Sequence, residues 1–170
     1  HANRHLCLLL AFVAGAANAG GFLAVQQYTS HMTGIVSEMA DNIALGHFML
    51  ALAGVVALIV FVAGAIVWAY MVNWARAAGL HSVYALPLMA ESLLLVVFGL
   101  LGSSTQTEIS VFVPVTVLLL CFMMGLQNAI ITKISRAEIR TTHVTGLVTD
   151  IGIAIGRLLH AKQQPAVHPE

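Results

Sequence analysis

Four runs of the chain, 6–25, 48–70, 84–102 and 111–132, are almost wholly apolar. Each is near the ~20 residues that a helix needs to cross a hydrocarbon layer about 30 Å thick. Only 8% of the 170 residues are charged and 59% are hydrophobic, whereas a soluble domain carries about 25% charged residues. So little charge cannot clothe a globular surface in water, which excludes a soluble protein. Seven basic residues balance seven acidic ones, so there is no basic field for nucleic acid either. Cys7 and Cys121 each stand alone in an apolar run, without the paired spacing of a disulfide framework or a zinc knuckle. Both are expected to be packing residues. The first run contains Asn18 and a long Gly/Ala centre, which reads as a retained span and not as a cleaved signal. The opening His1, in place of Met, points to a start upstream.

Two further segments, 29–46 and 141–159, read as helix but carry Glu38, Asp41 and Asn42 in one and Asp150 in the other. Polar groups at membrane depth survive only where protein or a water cavity encloses them. Each segment is therefore expected to be a short re-entrant or enclosed helix that does not cross. The distribution of cations tests this. With four crossings, Arg4, Arg76, Lys133, Arg136, Arg140, Arg157 and Lys162 all fall on one face, and 28–47 and 103–110 contain no Lys or Arg. Letting both polar helices cross would put four of the seven on the other side. Cations accumulate on the cytoplasmic face, so the N-terminus is expected in the cytoplasm and Glu108 outside.

The chain also repeats itself. His31-Met-Thr-Gly-Ile-Val-Ser-Glu38 matches His143-Val-Thr-Gly-Leu-Val-Thr-Asp150 with four identities and four conservative changes, at an offset of 112 residues. Upstream, Gly15-Ala-Ala-Asn18-Ala matches Gly125-Leu-Gln-Asn128-Ala at an offset of 110. Two matched blocks in the same order indicate a duplication. The first and fourth spans then correspond but cross in opposite directions, so the halves are inverted copies, a plan that recurs in secondary transporters. The expected fold is an all-α polytopic membrane protein of two inverted repeats in a single membrane domain, 1–170. The first repeat is 1–108, a truncated second repeat begins at 109–160, and 161–170 is a polar tail.

The stretches AGAANAGGFLAVQQYTSHMTG, MGLQNA and TTHVTGLVTDIG resemble the YoaK family of bacterial multi-pass inner-membrane proteins, whose conserved domain has no known function. The likeness spans about residues 8–159. It implies a helical fold in the bacterial cytoplasmic membrane and a complete relative with two more spans. It also implies an acidic residue where Asn18 stands and an asparagine where Ile35 stands; this chain departs at both positions.

The His-x-Thr-Gly motifs mark helix starts, where Thr hydroxyls can cap free backbone N–H groups and the dipole favours anions. Thr33 and Thr145 are the hydroxyls concerned; capping alone would account for them. His31 and Glu38 are seven residues apart, as are His143 and Asp150, so each pair shares one helix face. Such pairs serve either a polar path or local hydrogen bonding. Asn18 and Asn128 are candidates for the same path or for fastening helices together, with Gln127 in the network of Asn128. Glu91 is the one acidic residue within the four spans. An ionised carboxylate there costs about 2.5–3.5 kcal/mol, so it is expected neutral or paired, and it is the best candidate for carrying a proton. Small-residue patterns such as Gly15/Ala19 and Gly152/Gly156, and prolines 87 and 114 at the first turns of their spans, are expected to serve packing alone.

The expected function is a proton-linked transporter or permease for a small polar or anionic solute, with the lipid bilayer as its other partner and no cofactor or bound metal. A membrane scaffold whose polar groups only fasten helices is the alternative. An intramembrane metal enzyme using His31, His143, Glu38 and Asp150 is a third reading. No nucleophile elbow, zincin, phosphate-loop or dinucleotide motif is present, so no enzymatic activity is expected.

Overall fold

A computed structural model describes residues 2–25, 29–103, 109–134 and 144–163. Among these residues are six helices and no strand: α1 Ala2–Val25, α2 Met32–Ala44, α3 Phe48–Ala77, α4 Ala85–Ser103, α5 Ile109–Ile134 and α6 Val144–Gln163. The helices α3, α5 and α6 contain segments long and apolar enough to cross a membrane, Phe48–Ala77, Pro114–Lys133 and Val144–Lys162. Shorter apolar stretches, Leu8–Leu23 and Ala85–Leu100, lie in α1 and α4.

The four apolar runs became α1, α3, α4 and α5, and the two polar segments became α2 and α6. Two details differ. The second polar helix has 20 residues against 13 in α2, about 30 Å against about 20 Å, and it runs on to Gln163 in the segment expected to be tail. Proline 114 lies inside α5, because that helix starts at Ile109. It therefore stands in the second turn, where it withholds a backbone N–H from the carbonyl of residue 110.

Helix α3 is the hub, packing on α2, α4, α5 and α6. It crosses α5 at backbone contact: a Cβ on Gly64 would lie 2.9 Å from the Leu126 nitrogen, and one on Gly125 would strike the Phe61 carbonyl. Gly152 and Gly156 bring α6 close to Ala65 and Ala69 of α3, 2.7 Å from a built Cβ in each case. Small residues permit such approaches, and van der Waals packing holds them.

The contacts also give each helix its direction. Ala57 and Phe61 cluster with Leu120, Cys121, Met123 and Met124, whereas Trp68 and Val72 cluster with Leu126, Ala129 and Ile130, so α3 and α5 run the same way. Gly152 lies on Val62 and Ala65, and Gly156 on Ile66 and Ala69, so α6 runs with them. Gln127 reaches the Leu10 carbonyl while Leu120 covers Gly21, so α1 runs against α5. Tyr84 and Leu88 meet one cluster and Leu94 and Phe98 the other, which sets α4 against α5 as well. Helix α2 folds back on α3 through a tight turn at Gly46, whose φ of 78° favours glycine. The turn is closed by N–H groups of Leu45 and His47 donating to the carbonyls of Asp41 and Asn42. Arg4, Arg76, Lys133 and Lys162 consequently share one end of the bundle, while the α2–α3 turn marks the other. Arg136, Arg140 and Glu108 lie outside the described residues.

Candidate functional site

Helix α2 begins in the middle of the bundle. Ser30 Oγ donates to Asn18 Oδ1 at 2.9 Å, which ties the chain before α2 to the central part of α1. Met32, the first residue of α2, is fully buried beside Phe61, Met123 and Met124, and Phe61 is close to the midpoint of α3. The first helical bond runs from Ile35 N–H to the His31 carbonyl at 3.2 Å. The N–H groups of Met32, Thr33 and Gly34 precede it and so have no partner within the helix. His31, at the N-cap position, supplies no side-chain cap.

The motif threonine does not cap this start as expected. Thr33 Oγ1 is buried with no hydrogen-bond partner, and so is Thr29 Oγ1. Ser30 is turned to Asn18 instead. Beside these groups lies a cavity of about 440 Å³, between α2, the first half of α3 and the first half of α5, a size that suits a small ligand. Its polar lining is Thr29, His31, Glu38 and Asn42, and its apolar lining includes Ala57 and Cys121. The shared face of His31 and Glu38 expected from their spacing is therefore turned to one cavity. Gly34 matters here because a Cβ would lie 3.1 Å from His31 Nδ1, crowding the ring. Asn42 Nδ2 donates to the Glu38 carbonyl, so its amide is partly engaged within α2.

Glu91 forms a second polar locus. It is 3% exposed, and its Oε1 accepts a 2.6 Å bond from Gln127 Nε2, which also reaches the Leu10 carbonyl at 3.4 Å. Glu91 Oε2 and Gln127 Oε1 have no hydrogen-bond partner. The expected network of Gln127 with Asn128 is not what forms. Asn128 Nδ2 donates to the Met124 carbonyl of its own helix at 2.7 Å, while Gln127 turns to α4 and α1. Asn18 bonds Ser30, so the two asparagines use separate partners. Along α5, Gln127 is six residues beyond Cys121, which sets Glu91 about 9 Å from the level of the cavity floor towards the cationic end.

In the second copy, Thr149 Oγ1 donates to the Thr145 carbonyl at 2.8 Å, Thr145 is half-buried and Asp150 is exposed. His143 lies outside the described residues. The two motif helices do approach each other, since α2 packs on α6 and Met32 and Val148 join one apolar cluster. Thus the structure gathers His31 and Glu38 around the cavity, puts Glu91 elsewhere against α5, and leaves Asp150 off it.

Thr29 and Cys121 were not expected at the site. A signal for Thr29 exists: at the same offset of 112 residues it matches Thr141, and Ser30 matches Thr142, so the repeated block starts two residues earlier than the histidines. Cys121 has none, because a thiol in an apolar run looks like any other core residue.

A family model described as a protein of unknown function, DUF1275, matches residues 6–169 of the chain. No curated protein and no solved structure matches it.

Proposed function

We propose that this chain, which belongs to the DUF1275 family, is a proton-linked membrane transporter or permease for a small polar or anionic solute. The solute binds at the start of α2 and Glu91 carries the proton. One observation carries the reading: a helix start without an N-cap bond lies inside an apolar bundle, beside a cavity that holds an unpartnered buried hydroxyl, Thr29. A buried polar group left unbonded costs about 1–3 kcal/mol, which a bound solute with acceptor atoms would recover at the donors. Glu91 Oε2, unpartnered and buried against the neighbouring stretch of α5, is a place for a proton to sit.

The wider architecture belongs to the same proposal. The matched motifs lie on helices of opposite direction, α1 against α5 and α2 against α6, which is what inverted repeats require. Helix α2 runs from the bundle middle to the turn at Gly46 and serves as a re-entrant element, whereas α6, long and apolar enough to cross, meets the middle of α3 at Gly152 and runs on towards the cationic end. The cationic end faces the cytoplasm, in a bacterial inner membrane, as in the YoaK family that the sequence resembles.

A specific observation favours a scaffold as the second reading. The bonds of Gln127 to Glu91 and to the Leu10 carbonyl join α5 to α4 and α1, which is a fastening role. Reconstitution into liposomes holding a pH-sensitive dye separates the two. Imposed gradients of amino acids, carboxylates, sugars and amines should include one solute that moves protons through the wild-type protein. Absence of flux with every class, in vesicles whose protein is folded, would leave the scaffold.

A further inference from the structure

The charge of the cavity lining narrows the class of solute. We infer that the α2 cavity takes a small zwitterion of the amino-acid type, its carboxylate on the α2 start and the Thr29 hydroxyl, its ammonium group on Glu38. This rests on the solute-binding reading above and goes one step beyond it.

Two independent observations point to the carboxylate end. The N–H groups of the first turn of α2 have no helical partner, and the dipole adds partial positive charge there. Thr29, 1% exposed, lines the same cavity with its hydroxyl unpartnered. A hydroxyl and a set of aligned N–H groups together make donors for a carboxylate.

The other end decides against a simple anion. The lining includes Glu38 and His31 and no lysine or arginine, so a solute with only negative charge would meet a like charge at Glu38. An ammonium group on the solute turns that repulsion into a pairing. Spacing agrees: Glu38 is four residues beyond Gly34, about 6 Å along the axis, and helical side chains lean back towards the N-terminus. The two binding ends are thereby brought within the reach of one amino acid, and Ala57 and Cys121 offer an apolar floor for a small side chain.

Calorimetry on the full chain in detergent tests this with glycine and L-alanine, their deaminated counterparts acetate and propionate, and methylamine and ethylamine. L-alanine or glycine should bind at least about tenfold more tightly than any of the other four, the effect of losing one charged partner. Glu38→Gln should remove most of that preference over the carboxylates. Thr29→Val should weaken amino acids and carboxylates alike, and Thr29→Ser should restore both, which separates hydroxyl loss from misfolding. If propionate binds wild type as tightly as L-alanine, or Glu38→Gln leaves L-alanine unaffected, the zwitterion is wrong while a Thr29→Val effect still supports a carboxylate site. If none of the six binds a folded protein, both the zwitterion and the α2 site are overturned.

Discussion

Glu91 and Gln127 share a buried hydrogen bond in which two oxygens, one on each side chain, have no donor. Removing one partner strands the other. Gln127→Leu is expected to lower stability by about 1–3 kcal/mol, whereas Gln127→Leu with Glu91→Leu should recover much of it, because two apolar replacements leave nothing unpaired. Denaturant unfolding in detergent measures the cycle, and a double variant as unstable as the summed singles would show that the pair does not act as a unit. Glu91→Gln should fold, since the shape and bonding capacity persist, yet flatten the pH profile of flux in proteoliposomes. An unchanged profile would make Glu91 a fastener. That Glu91 would need a polar partner was legible because it interrupts a long apolar run. Its partner was not, because spacing tells which residues share a helix face and says nothing about which helix lies opposite.

At the scale of helices, glycines behave differently according to what faces them. Gly125 meets the Phe61 backbone, and backbone cannot turn aside. Gly125→Leu should force α3 and α5 apart at a cost of about 1–3 kcal/mol or more, the usual range for overpacking. A Cβ on Gly15 would instead enter open space, with no neighbour within 4 Å, so Gly15→Ala should be neutral or stabilising by up to about 1 kcal/mol through helix propensity. Thermal unfolding of the two variants side by side checks the contrast, and equal losses would contradict the crossing. Helix positions could be read from the sequence because span length and the His-x-Thr-Gly start are local signals. The crossing at Gly64 and Gly125 could not, since Gly64 sits in an Ala-Gly-Ala stretch indistinguishable from other small-residue runs until its neighbour is known.

For the whole molecule, the directions of the helices put Arg76 and His47 at opposite ends of α3. On a background with Cys7 and Cys121 replaced by serine, cysteine at position 76 should react with impermeant reagent only from the cytoplasmic side and cysteine at 47 only from outside; labelling of both from one side would refute the topology. The two matched motifs of eight residues were legible in the sequence, but the different surroundings of each were not. His31 and Glu38 face the cavity, while Asp150 at the matching place is exposed, because each copy packs a different face on α3. Glycines 125 and 156 bring α5 and α6 onto the backbone of α3, whereas α2 meets Gly54 of α3 through the flexible Met39 side chain. The cavity lies between α2, α3 and α5, so its α2 wall rests on side-chain packing and its far wall on a backbone crossing.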